Sequence, residues 1–162
     1  MRVTISKLPG TAEELVAMEE LDFTSPHSVA AFFIAALCSY SVSREGCLHM
    51  IDALKGPQRL NTMEKQFIHY RMMGKASYIG RAYLAGAAPE NDYTPDLPYT
   101  VVLEPNPATY EEDGYATVLI RTAGADRPRP LKLRQKAGQW FLWEYTSLFG
   151  DIQKPVSFDP WR

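Results

Sequence analysis

The chain has 162 residues, 46% of them apolar and 22% charged, with a formal net charge of −2. That length suits one domain able to bury roughly two thirds of its unfolded surface without disulfide or metal staples. The acidic balance argues against a dedicated nucleic-acid or anionic-membrane binder, and the longest apolar run, Val29 to Cys38, is too short to span a bilayer.

Met1 to Leu8 alternates weakly through Val3, Ile5 and Leu8, which predicts a short edge strand stopped by Pro9-Gly10. Thr11 and Glu14 have capping-box spacing, so a short helix is expected to about Met18. Ser25-Pro26 places a hydroxyl N-cap before a first-turn proline. The helix it opens is apolar almost all round, which predicts a central, buried position against a sheet. Ser43 opens another helix, with Cys47, Ile51 and Leu54 inward, and Gly56-Pro57 ends it. Asn61 and Glu64 mark a third cap, for a helix from Thr62 to about Met73 with Met63, Phe67 and Tyr70 facing inward. Residues 75–88 fit no clear element beyond a short helix around Tyr78 to Leu84. Pro89 to Pro98 carries three prolines and bridges the helices to the sheet.

Tyr99 to Leu103 reads as a first strand and Pro105 to Asp113 as a loop. From Gly114 to Tyr145, β-branched and aromatic runs are separated by Gly- and Pro-bearing turns, the pattern of an antiparallel meander. Lys136-Ala137-Gly138-Gln139 predicts a two-residue hairpin loop. Pairing Lys136 with Gln139 sets Leu133 opposite Leu142, Arg134 opposite Phe141, Lys132 opposite Trp143 and Leu131 opposite Glu144. Keeping apolar side chains together places Ile120 by Leu131 and Val118 by Leu133. One face is then Val118, Ile120, Leu131, Leu133, Trp140 and Leu142, with Glu144 at its end, where desolvation would raise a carboxyl pKa. The other face carries Lys132, Arg134, Phe141, Trp143 and Tyr145, with the basic stems over Phe141 and Trp143. Ser147 to Ile152 is expected as a turn of helix. Residues 153–162 read as an irregular tail with Phe158 and Trp161 as docking points.

The expected fold is therefore α+β, a single domain over 1–162. A helical part at about 11–88 packs on a C-terminal antiparallel meander of about four strands at about 98–146.

Charge is uneven along the chain. Residues 90–113 hold seven acids and no Lys or Arg, whereas 121–136 hold six basic residues and one acid. Mutual neutralisation within one sheet region is the plain explanation. His27, His49 and His69 lack metal-binding spacing, and Cys38 and Cys47 lack zinc spacing, so no metal and no cofactor is expected. The two cysteines read as free buried thiols of a reducing cytoplasm. The first twenty residues do not read as a signal peptide. No nucleophile motif, phosphate loop or dinucleotide fingerprint is present in the sequence.

The mixed face offers two readings. It is either an ordinary solvated sheet surface, or a binding surface for a second copy or a protein partner, since Trp, Tyr and Arg are the types that dominate hot spots. Binding of Lys132, Arg134, Phe141 and Trp143 to single-stranded nucleic acid is opposed by the net acidity. The leading expectation is a non-enzymatic protein-interaction module. The alternative is a ligand-binding or enzymatic pocket between helices and sheet, with Glu144, Tyr99 and Tyr115 as its polar groups.

The stretch RPLKLRQKAGQWFLWEYTSLFGDIQKP followed by DPW resembles a family of uncharacterised bacterial proteins, a domain of unknown function. LKGPQRLNTMEKQF, APENDYTPDLPYTV and EEDGYATV extend the resemblance over nearly the whole chain. It implies a bacterial, cytoplasmic protein and carries no catalytic residue with it. In element order alone, helices before a curved antiparallel sheet resemble the cystatin-like cone folds of the nuclear-transport-factor type, which implies space for a ligand between helix and sheet.

Overall fold

The computed structural model describes residues 1–161. The expected tail is thus described to Trp161, and Arg162 lies outside the described residues. Five antiparallel strands form one sheet in the order β1 (Arg2–Ile5), β2 (Tyr99–Glu104), β3 (Tyr115–Ile120), β4 (Arg129–Lys136) and β5 (Gln139–Glu144). Strands β2 to β5 are the expected meander. The N-terminal strand β1 adds to its edge, with Ile5 opposite Tyr99 and Arg2 opposite Val102. Four helices precede the meander: α1 (Ala12–Ala17), α2 (Pro26–Cys38), α3 (Arg44–Lys55) and α4 (Thr62–Met72). The protein is an α+β fold with its helices in the N-terminal half.

Each helix begins at the cap its sequence predicts. The side chains of Thr11, Ser25, Ser43 and Asn61 accept from the backbone N–H three residues on, which satisfies a donor that no helical carbonyl can reach. Helix α2 lies across the sheet and packs on all five strands. Val29 to Leu37 are wholly buried. Each large apolar side chain sealed there contributes roughly 1.5–3 kcal/mol. The apolar sheet face beneath is the predicted one, with Val118, Ile120, Leu131, Leu133, Trp140 and Leu142 all buried.

The hairpin forms as expected. Lys136 pairs with Gln139, and Ala137 and Gly138 both have positive φ, at 51° and 78°, as a type I′ turn demands. Elsewhere the register differs from the prediction. Val118 lies opposite Leu131 and Ile120 opposite Arg129, a slip of two residues that keeps every side chain on its face. Burial selects the parity of a register and is blind to an even shift. Arg129 favours the longer pairing, because its Nη2 donates to the carbonyls of Gly150 (2.9 Å) and Asp151 (3.2 Å) and ties the start of β4 in place.

A β-bulge interrupts the β4–β5 ladder between Lys132 and Leu133. Leu133 faces Leu142 as predicted, but Lys132 faces Glu144, so Trp143 is the extra residue and Leu131 is not opposite Glu144. An inserted residue reverses the alternation beyond it. Glu144 therefore lies exposed on the outer face rather than at the end of the apolar one. Tyr145 lies buried on the core side, its ring 5.2 Å from that of Phe33.

Helix α4 has the predicted span and a different rotation. Ile68 and Met72 are buried, whereas Met63 and Tyr70 are exposed and Phe67 half-buried. Glu64 shares this phase, its carboxylate held by Lys55 at the end of α3 and by Tyr145 just after β5. Residues 75–84 form successive turns and a 3₁₀ turn at Arg81–Tyr83 in place of a helix from Tyr78. Gly80 packs so closely on the end of α2 that a Cβ would sit 2.6 Å from the Cys38 backbone nitrogen. Among the described residues, no helix is long and apolar enough to cross a membrane.

Both thiols are free. Cys47 is buried, and Cys38 keeps some surface although its sulfur lies against Gly80. Burial pushes each pKa up to about 12, leaving a thiolate fraction on the order of 10⁻⁴ at pH 8. Alkylation of the folded protein at that pH is expected to be at least about 10³-fold slower than for an exposed thiol. Timed iodoacetamide labelling with mass spectrometry checks this, and fast single labelling of the native chain would contradict it.

Candidate functional site

The outer face of β3 to β5 gathers aromatic and basic side chains. Tyr115 and Arg134 are cross-strand partners, and Trp143 follows on β5. The Arg134 guanidinium carbon lies 4.6 Å from the Trp143 ring centroid and 5.7 Å from that of Tyr115. Tyr115 and Trp143 meet edge to face at 6.0 Å. Contacts of this exposed kind contribute ~0.5–1 kcal/mol each. Trp143 nonetheless remains 38% exposed. Lys132 reaches Tyr115 (5.3 Å) and an ion pair with Glu112 at 2.7 Å, rather than Phe141.

Phe141 turns toward the helices. Its ring lies 5.7 Å from that of Phe23 and packs on the bare backbone of Gly56. This leaves a groove of about 350 Å³ at the rim of the sheet. Lys55, Pro57 and Gln58 form one wall; Arg134, Lys136, Phe141 and Trp143 form the other. The lining holds three cations and no carboxylate. Among the described residues, neither Arg134 nor Lys136 has an acidic partner within 4.0 Å.

A polar trio stands behind the groove. The Lys55 side chain is 6% exposed, and its Nζ lies 3.2 Å from Glu64 Oε2. The Tyr145 hydroxyl donates to the same oxygen at 2.9 Å. Lys55 also sits over the Tyr145 ring, 5.5 Å from its centroid. Glu64 Oε1 accepts from the Asn61 backbone N–H, completing the capping box. One carboxylate thus caps α4, binds α3 and orients Tyr145. Partial burial pushes the Glu64 pKa up, but the Asn61 N–H, the Tyr145 hydroxyl and Lys55 together outweigh it and hold the carboxyl below its ordinary value. Asp52 Oδ1 accepts from the Leu60 N–H at 2.8 Å, so the connection from α3 to α4 is pinned on both sides of the groove wall.

Of the expected site residues, Lys132, Arg134, Phe141, Trp143 and Tyr115 share this face, and Arg134, Phe141 and Trp143 of them line the groove. Glu144 is on the face too, opposite Lys132, and is solvated rather than desolvated. Tyr145 belongs to the trio behind the groove. Tyr99 lies on β2 opposite Ile5, away from the rest. Sequence reasoning missed Lys55 and the second role of Glu64. Their visible signals were a last-turn lysine before a helix stop and an N3 glutamate, both ordinary capping features. Among the described residues, no group of three His, Cys, Asp or Glu side chains is placed to hold a metal.

Several tyrosines are held neutral. Burial raises the pKa of Tyr78, Tyr83 and Tyr145, and pushes that of Tyr93 up to about 12. A raised folded pKa contributes stability below the unfolded value of 10 that is lost as pH rises above it. Absorbance at 295 nm and circular dichroism are expected to change together on alkaline titration. Phenolate appearing at these positions with the fold intact would contradict the packing.

A family model described as Domain of unknown function (DUF6935) matches residues 7–156. That stretch includes both walls of the groove and the trio behind it. No curated protein and no solved structure matches the chain.

Proposed function

The chain belongs to the family described as Domain of unknown function (DUF6935), and from its geometry we propose a non-enzymatic module that docks a protein partner on the aromatic–basic rim of its sheet. The observation that supports this most directly is Trp143, held between Arg134 and Tyr115 yet 38% exposed beside an open groove. Rigid aromatic and guanidinium groups at a partly dewetted cleft are the usual hot-spot chemistry. The groove presents cations, amides and rings, which bind and orient, and its one buried amine is engaged by Glu64. The setting we propose is a bacterial cytoplasm. The sequence resemblance supports the first part, and two thiols left unpaired in the fold support a reducing compartment.

The test compares proteins captured from native lysate by the wild-type chain and by Trp143→Ala. A protein lost from the variant is then purified and titrated calorimetrically. Trp143→Ala is expected to weaken that binding at least ~30-fold, a hot-spot loss of ~2 kcal/mol. Sedimentation of the purified chain covers the case in which the partner is a second copy. Identical capture and identical sedimentation for both proteins would remove the proposal.

A small ligand is the second reading, favoured by the groove volume of about 350 Å³, which lies within the range of small-molecule sites. A metabolite panel read by thermal unfolding distinguishes it. A ligand at ~100 times its dissociation constant stabilises by ~2.7 kcal/mol.

A further inference from the structure

Resting on the docking reading above, we infer that the segment bound in the groove is a short acidic peptide stretch bearing a planar apolar side chain, and that Arg134 reads its carboxylate. The charges point this way. Lys132 and Arg121 are each neutralised by a carboxylate at 2.7 Å, from Glu112 and Glu104. Arg134 and Lys136 line the groove without such a partner among the described residues. In a chain of net charge −2 this local excess of cations is not a consequence of composition.

Arg134 supplies the geometry. Its guanidinium lies over the Trp143 ring, and its N–H groups make no hydrogen bond among the described residues. A carboxylate can take those groups through two parallel bonds while the contact with Trp143 stays in place. Phe141, Trp143 and Pro57 leave apolar wall beside it for a flat side chain. The positive region is also short, because Glu112 and Glu144 flank Lys132 on the same face. One or two carboxylates fit such a patch. A continuous phosphate backbone would run into those acids, which disfavours nucleic acid.

The experiment measures fluorescence polarisation of dye-labelled peptides with the full chain. The first probe is Gly-Glu-Glu-Trp-Glu-Glu-Gly. Its controls replace every Glu by Gln, or the Trp by Ala, and a thymidine decanucleotide is the polyanion control. The acidic Trp probe is expected to bind at least tenfold more tightly than either peptide control and than the oligonucleotide. Arg134→Gln is expected to weaken it at least tenfold, with Arg134→Lys recovering only part of the loss. Both substitutions are at an exposed position, and a melting curve for each confirms the fold. Equal binding of the Gln probe, tighter binding of the oligonucleotide, no binding of the acidic probe, or indifference to Arg134→Gln would each overturn the inference. If it fails while a captured partner still depends on Trp143, the docking proposal stands with another partner chemistry. If capture is also indifferent to Trp143, the docking proposal falls as well.

Discussion

Glu64→Ala is expected to destabilise the fold by about 3 kcal/mol, whereas Lys55→Met combined with Glu64→Leu is expected to cost only about 1–2 kcal/mol. The single change leaves an ammonium with a 6% exposed side chain facing a phenol that has lost its acceptor. Removing one member of a buried pair typically costs ~3–5 kcal/mol, and we take the low end because the Glu64 side chain is 30% exposed and water can enter. Loss of the bond to the Asn61 N–H adds to it. The double change removes both charges and keeps apolar volume, so what remains is the lost cap and the Tyr145 hydroxyl left without its acceptor. Urea denaturation of wild type, Lys55→Met, Glu64→Leu and the double variant closes a cycle and gives the coupling directly. A Glu64→Ala cost below about 1 kcal/mol would mean that the trio behaves as a solvated surface pair. The pH dependence has a definite sign. A carboxyl held below its ordinary value of 4.5 contributes stability above that value, and this is lost as pH falls through the lower folded pKa. The gap between wild type and Glu64→Gln is therefore expected to close in acid and to be unchanged from pH 6 to 8.

The trio also marks where the sequence stops being legible. Caps, stops and the hairpin are local, and Ser25-Pro26, Gly56-Pro57 and Lys136 to Gln139 all behave as their neighbours dictate. Helix α2 is readable because a segment apolar on every side has only one place to go. The errors lie where a distant contact decides. Met63, Phe67 and Tyr70 have helical spacing, but Glu64 is drawn inward by Lys55 and Tyr145, and the helix turns with it. A single inserted residue at Trp143 puts Glu144 in solvent and Tyr145 in the core. No alternation pattern reveals a bulge, because the strand alternates correctly on either side of it. The basic–aromatic face was visible up to that residue. The groove was not, since its second wall comes from the turn after α3.

That turn is the most sensitive point of the site. Gly56→Ala is expected to cost about 3–4 kcal/mol and to abolish peptide or partner binding in the groove. Gly56 has φ 70° and ψ −124°, a region that L side chains enter only under strain of about 1–3 kcal/mol. Its added Cβ would also lie 2.7 Å from Cγ and Cε1 of Phe141. Overpacking of that order costs roughly a further 1–3 kcal/mol. Phe141 has little room to yield on its inner side, because Phe23 stands there at 5.7 Å. It would move toward Trp143 and fill the groove. The two contributions separate in a Phe141→Leu background, where the clash is relieved and the backbone strain is not. There Gly56→Ala is expected to cost only about 1–2 kcal/mol. An undiminished cost would place the whole effect in the backbone. A cost near zero would mean that the turn relaxes freely and that Gly56 does not fix the wall. The dihedral matters to the groove because of what stands on either side of it. Lys55 binds Glu64 and lies over the Tyr145 ring, and Pro57 lines the groove beside it. Gly56 is the residue between the two, so the buried trio and the groove wall are set by the same turn.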